Sequence, residues 1–395
     1  MRRQPWIFLL SAVLIALLVT GCLPSTSHEA ALGTPRPSSG TAGATPPSAI
    51  AQRPTLPTPT LTSTATSTAT PTDTPRPATP TSAPPTSTGT PTATAAPVPT
   101  AAPGRVLATI AVGITPSGVA VNATTGRVYV ANSASDTISV IDGATDRVIA
   151  TVAVGTTPVG VAVNPTTARV YVANSHDNTV TVVDAARDRV IATIPVGAHP
   201  ESIAVDATTN RVYVANVGGN SVSAIDGATD RVLATVPVGS NPEGVAVNPA
   251  TNRVYVANVG DNSVSAIDGA SNRVIATIHT GGQPDAVAVN TTTDRVYVGN
   301  YLDSTVSVID GAADKVVATI AGEAGPFGIG VNPATDRVYV ANYLANNVSV
   351  VDGVSNRAIV TVPGVVGAFG VAVNSRTSRL YVASSGHNSV AVIRE

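Results

Sequence analysis

A tyrosine recurs at Tyr129, Tyr171, Tyr213, Tyr255, Tyr297, Tyr339 and Tyr381, at a constant step of 42 residues, each time in a copy or near-copy of Arg-Val-Tyr-Val-Ala-Asn. A fixed period of about 40 to 45 residues marks an array of small supersecondary units that bury their faces only against one another. Seven copies in step predict seven units. Each unit divides into four short apolar runs, which in the second unit are residues 160–164, 169–174, 179–184 and 189–196. Valine and isoleucine dominate the runs, while Asn, Asp, Gly, Pro and Thr fill the gaps, so the runs are strands. Gaps this short join only antiparallel neighbours, which makes each unit a four-stranded meander. Apolar residues at both parities of the first two runs predict sheets covered on both faces.

Four-stranded sheets arranged radially at this period form a β-propeller. The array begins at residues 105–112 with a fourth-type strand that has no blade before it, and ends at residues 388–393 with a third-type strand. The expected fold is therefore an all-β, seven-bladed propeller over residues 105–395, closed by the N-terminal strand completing the last blade.

The phrase Gly-Val-Ala-Val-Asn-Pro-x-Thr-x-Arg-Val-Tyr-Val-Ala-Asn, seen at 160–174 and 244–258, resembles the YVTN-type β-propeller repeat of exported microbial proteins, surface-layer proteins among them. The resemblance covers 105–395 with departures: Gly299 replaces Ala, Ser384 replaces the final Asn, and several turn prolines are lost. It implies the propeller fold and leaves function open, because the repeat belongs to the blades rather than to a site.

Before the array the composition changes. Arg2 and Arg3 precede an apolar run over residues 6–19, too short for a comfortable membrane span and proportioned like a signal-peptide core. The run ends in Val19-Thr20-Gly21-Cys22, which resembles the bacterial lipobox, where the cysteine is lipidated and becomes the new N-terminus. Cys22 is the only cysteine in the chain, so it has no intramolecular disulfide partner. Residues 1–21 are thus expected to be a lipoprotein signal peptide, and 22–104 a lipidated cysteine followed by a disordered Thr/Pro/Ser-rich linker. Fully extended, the 82 residues from 23 to 104 reach up to ~250 Å at ~3.1 Å per residue. Their Ser and Thr beside Pro also resemble O-glycosylated stalks. The expected location is the bacterial cell envelope, outside the cytoplasm, with a lipid anchor in the membrane.

From Arg105 onward 17 basic residues face 22 acidic ones, a net charge of −5 that argues against a nucleic-acid partner. An arginine opens every second-type strand, from Arg127 to Arg379, and an aspartate closes the third-type strand in six blades, from Asp142 to Asp352. Antiparallel pairing sets each Arg beside its Asp, so intrablade ion pairs are expected rather than a recognition ring. The tyrosine column is expected in the core between blades.

Function is expected where the repeat breaks. At the end of the ring carrying the second-to-third and fourth-to-first connections, the position entering the innermost strand reads Ser117, Val159, Glu201, Glu243, Asp285, Phe327, Phe369. Two residues earlier stand Thr115, Thr157, His199, Asn241, Gln283, Gly325 and Gly367. Tyr301, Tyr343, Phe327 and Phe369 are the domain's only aromatic residues outside the column. Asp177, Asp261, Asp303, His176 and His387 fall in the outer loops of the same face. An acidic and amide sector beside an aromatic one suits a polar ligand with an apolar face, so the expectation is a monomeric binding module for glycan or protein ligands.

Two alternatives stand beside that reading. Seven-bladed propellers resembling this one include lactonases and lyases, and Glu201, Glu243 and Asp285 are oxygen donors of the kind that bind Ca²⁺ or Mg²⁺. Against catalysis, the turns are short, no insertion forms a lid, CxxCH and GxSxG motifs are absent, and His176, His199, His279 and His387 lie in loops of different blades. The other alternative is a structural component of a surface layer.

Overall fold

Turn chemistry cuts this chain into hairpins. In the first blade Asn122 Oδ1 accepts the N–H of Thr124 at 3.0 Å, and Asp142 Oδ1 that of Ala144 at 2.8 Å. The turns close on residues in the left-handed region, Gly126 at φ 73° and Asp146 at φ 55°. Glycine and short polar side chains adopt that conformation at least cost, which is why Asp and Asn recur there.

The structure is a computed structural model that describes residues 104–395. Cys22, the signal segment and the linker up to residue 103 lie outside the described residues. The strands number 28, β1 to β28 in chain order. The first blade comprises β2 (Pro116–Asn122), β3 (Arg127–Asn132), β4 (Thr137–Asp142) and β5 (Arg147–Ala153), in that order from the channel outward. Five more blades repeat the pattern. The seventh consists of β26 (Ala368–Asn374), β27 (Arg379–Ser384) and β28 (Ser389–Arg394), with β1 (Val106–Ala111) added antiparallel outside β28. Val106 pairs with Ile393 and Ala111 with Ser389, so the first strand closes the ring as its pattern required.

Between blades the core is continuous. Tyr129 packs with Val161, Val170, Val172 and Val183 of the next blade, and Tyr381 carries the same contact from the seventh blade to Val119, Val128 and Val130 of the first. All seven column tyrosines are at most 1% exposed, so the column is inter-blade core. The asparagine ending each RVYVAN strand is equally buried. Asn174 Nδ2 donates to Thr179 Oγ1 and Thr181 Oγ1, while its Oδ1 accepts the N–H of Gly155. A Cβ at Gly155 would lie 2.6 Å from Asn174 Cγ, which explains the glycine at this position in five of the seven blades; Glu323 and Val365 stand there in the other two.

The expected intrablade Arg–Asp pairing holds in backbone register and fails in the side chains. Arg127 opposes Asp142 across β3 and β4. Yet its Nη1 crosses to the second blade, donating to Ala185 O at 2.6 Å and to Asp188 Oδ1 at 2.9 Å. Arg169 reaches Gly227 O and Asp230, Arg253 reaches Gly311 O and Asp314, and Arg379 closes the circle on Gly143 O and Asp146. The reason is reach. Aspartate is short and folds onto its own turn N–H, whereas the long guanidinium spans to the neighbour's turn. Where that turn carries Asn272 or Asn356 in place of Asp, Arg211 keeps only Gly269 O, and Arg295 falls back on Asp310 of its own blade at 3.2 Å.

Candidate functional site

Seven innermost strands line the central channel, each in contact with the next, so that β2 touches both β26 and β6 (Pro158–Asn164). Register slips at the start of each strand, between Pro200 and Ile203 in β10 (Pro200–Asp206) and between Pro242 and Val245 in β14 (Pro242–Asn248). The unpaired residue at such a bulge has its side chain re-aimed. Ser117, Val159, Glu201, Glu243, Asp285, Phe327 and Phe369 all occupy it. The residue that follows is usually glycine because adjacent blades approach closely there. A Cβ on Gly160 would meet Glu201 O at 2.5 Å, and one on Gly244 would meet Asp285 O at 2.6 Å.

Successive blades therefore hold Glu201, Glu243 and Asp285 side by side on an arc. Each is half-buried. Burial pushes Glu201 up to about 8, with the charge of Glu243 adding to it and a hydrogen bond from Ser175 opposing. Ser175 Oγ lies 2.9 Å from Glu201 Oε1. Burial first, then the charge of Asp285, raises Glu243 well above the usual carboxylate range, and burial lifts Asp285 to about 7. The contact between the two carboxyl groups raises Glu243 further and opposes the rise of Asp285. No Arg, Lys or His among the described residues forms a salt bridge with any of the three.

The arc continues as rings. Tyr301 meets Phe327 edge-on, with centroids 5.9 Å apart and planes at 89°. Phe327 lies 4.2 Å from Phe369 and 6.0 Å from Tyr343, and Tyr343 meets Phe369 edge-on at 6.2 Å. Tyr301 joins the two sectors: burial and then the charge of Asp285 raise its phenol. The four rings form one packed wall of offset and T-shaped contacts.

A second tier, missed from sequence alone, supports the first. The residue after each RVYVAN-type strand reads Ser133, Ser175, Val217, Val259, Tyr301, Tyr343, Ser385, and in three blades it partners the channel residue 26 positions later. Ser175 meets Glu201, Tyr301 meets Phe327, and Tyr343 meets Phe369. By the same offset Glu243 and Asp285 fall to Val217 and Val259, which offer no hydroxyl. The signal was legible as a second column breaking in step with the first.

Other candidates stand apart. His199, Asn241 and Gln283 adopt left-handed φ of 50°, 51° and 52°, and their N–H groups are held by Asn178, Asn220 and Asn262. His199 is exposed and its ring lies over Gly218, while Asn241 Oδ1 lies over Gly260; both lean on their own blade's loop rather than into the carboxyl arc. Asp177, Asp261 and Asp303 accept the N–H groups of Thr156, Ser240 and Gly282 at 2.6–2.7 Å, anchoring turns. His176 and His387 are exposed in loops. No group of three or more His, Cys, Asp or Glu among the described residues has the arrangement of a metal site.

Fold and site together define a seven-bladed β-propeller with an asymmetric channel mouth. Among solved structures the chain is similar to Kuenenia stuttgartiensis Hydrazine Synthase, with a TM-score of 0.65 and 23% sequence identity over 71% of this chain and 96% of that one. At that identity the likeness concerns the fold. No family model matches the chain, and no curated protein matches it.

Proposed function

We propose that this chain is a lipid-anchored binding module of the bacterial cell surface, related to YVTN-type repeat proteins, whose propeller head takes glycan or protein ligands at the channel mouth. The observation that carries the reading is that the breaks in an otherwise regular repeat converge on one contiguous surface. Three carboxyl groups without a salt-bridge partner among the described residues adjoin four packed rings there. Sugars present hydroxyls to carboxyl groups and C–H faces to aromatic rings, so such a wall suits a pyranose. Full-length protein is expected to retain cell-wall polysaccharide on a glycan array, and to lose it when Glu201 and Glu243 are changed to Gln, or Phe327 and Phe369 to Ala. Unchanged retention by both double variants would refute the site.

Anchorage rests on Val19-Thr20-Gly21-Cys22. Cys22→Ser is expected to move the protein from the membrane to the soluble fraction, and continued membrane association would sink that part of the proposal.

A second reading, catalysis of the lactonase or lyase kind, is favoured by one observation. Glu201 near 8 and Asp285 near 7 are placed to exchange protons at neutral pH. Stoichiometric Ca²⁺ or Mg²⁺ binding in calorimetry, abolished by Glu243→Gln, would support this reading over the first.

A further inference from the structure

We propose that Pro97-Val98-Pro99 of the linker docks in the groove between the fifth and sixth blades, where Val98 fills a void that the other blade interfaces fill with their own side chains. The linker then leaves the propeller from that seam, and the chain ahead of the closing strand is pinned to the blade beside it.

The void comes from two truncations at one interface. The outermost strands of the two blades are β21 (Lys315–Ala321) and β25 (Arg357–Pro363). The residue that follows such a strand is valine or threonine in five blades and packs between blades, as Val154 and Val196 do; in the fifth and sixth it is Gly322 and Gly364. The sixth blade compensates, because Val365 is buried and its N–H meets Asn346 O as that of Val154 meets Asp136 O. The fifth does not. Facing Gly322, the second residue of the outermost strand is valine in every blade but the sixth, which has Ala358. A groove of about 80 Å³ results, walled by Val306, Ile320, Val340 and Val351. That is well above the roughly 10–15 Å³ that one water needs. Asn342 also lines the groove; it is buried, and its Oδ1 has no hydrogen bond among the described residues. In the first two blades the equivalent oxygen accepts the N–H of Gly113 or Gly155, and in the next three a glycine lies against the amide. The groove thus asks for an aliphatic side chain with an N–H beside it, which a residue of an extended peptide supplies.

The point of entry of the chain selects the occupant. Gly104 lies against the other face of β25, where a Cβ on it would be 2.6 Å from Val360 Cγ1. Val360 packs toward the seventh blade, and Thr361 beside it lines the groove. Passing from one face to the other means rounding the free edge of a sheet, a path of roughly 10 Å. Val98 stands six residues before Gly104, a reach of about 19 Å at ~3.1 Å per residue. From residue 62 to 103 it is the one Val, Ile, Leu, Met or aromatic residue in the sequence. Pro97 and Pro99 fix their own φ, which lowers the cost of ordering the segment, and neither brings an N–H that docking would leave unpaired. Covalent attachment at this distance gives Val98 a local concentration that a separate peptide does not match.

Hydrogen exchange of the full-length protein, resolved to single amides by mass spectrometry, tests the dock when the wild type is set beside Gly322→Val. That change restores the valine of the first three blades at a position whose φ lies outside the left-handed region, and near-ultraviolet circular dichroism is expected to stay unchanged. The Val98 amide is expected to exchange at least about tenfold more slowly in the wild type than in Gly322→Val, and to stay protected in Val98→Ile. Val98→Ser should lower the melting temperature of the wild type by about 2 °C and leave that of Gly322→Val unmoved. Exchange of Val98 at the rate of a free peptide in the wild type would overturn the dock, as would an equal Val98→Ser shift in both backgrounds. A dimer in sedimentation velocity that Gly322→Val dissolves would overturn it in favour of a second copy seated in the groove.

Discussion

Glu201→Gln should make the propeller more stable, and by an amount that grows with pH. Glu201 rises from its ordinary 4.5 to about 8 in the fold, chiefly through burial. A carboxyl raised on folding holds its proton in the native state at pH values where the unfolded chain has lost it. Between 4.5 and 8 the native state therefore binds more protons, and stability falls as pH increases. At about 1.36 kcal/mol per pH unit the full displacement corresponds to roughly 5 kcal/mol at pH 9. Channel water makes this an upper bound. Glutamine keeps the shape, and its carbonyl accepts from Ser175 Oγ as Glu201 Oε1 does at 2.9 Å. Thermal unfolding by circular dichroism at pH 4, 6, 7.5 and 9 should show coincident wild-type and variant curves at pH 4. By pH 9 the variant should melt about 5 to 10 °C higher, taking roughly 2 °C per kcal/mol for a large domain. Parallel pH profiles for the two proteins would show that Glu201 titrates as a solvated carboxylate and that the enclosed arc does not exist in solution.

Asn356→Asp should give Arg295 the inter-blade partner its equivalents have. Asn356 Oδ1 and Arg295 Nη1 are both buried without a hydrogen bond, and the Asp310 oxygen 3.2 Å from Arg295 is out of alignment. A gain of about 0.5–1 kcal/mol in urea unfolding is expected, and a loss would refute the equivalence. Tyr213→Phe should be neutral, because the Tyr213 hydroxyl is buried without a partner, whereas Tyr213→Ala should cost on the order of 3–5 kcal/mol. A costly Tyr213→Phe would point to a water or proton partner for the column.

The blades were legible because the period, the turn residues and the β-branched runs all act locally, and each points to the same meander. Closure was legible too, since an unmatched fourth strand at one end and an unmatched third strand at the other have one partner each. Arg127 was misread because register describes Cα atoms: β3 and β4 do set Arg127 opposite Asp142, and only the reach of the guanidinium sends its charge to Asp188. His199, Asn241 and Gln283 looked like a polar lining. Their left-handed φ was not visible while Thr115 and Thr157, β-branched residues poorly suited to it, filled the same column. The carboxyl arc and the aromatic wall were found by asking where the repeat breaks. Ser175 was not, because the second column had to be aligned to the first with an offset of 26 residues before its variation meant anything.

The closing strand also sets how the ring bears load. Chain enters at Gly104, whose N–H is bonded to Arg394 O on the face carrying the arginine ladder, and β1 then runs toward the mouth face, where Val112 N–H meets Asn388 O. Tension drawn between the entering chain and anything held at the mouth is directed along β1. The β1–β28 hydrogen bonds lie across that direction, so they are sheared together instead of being unzipped in turn. A ring sealed in this way resists pulling best along the axis joining its point of entry to its mouth, and opens most readily when the same strand is peeled sideways from its rim.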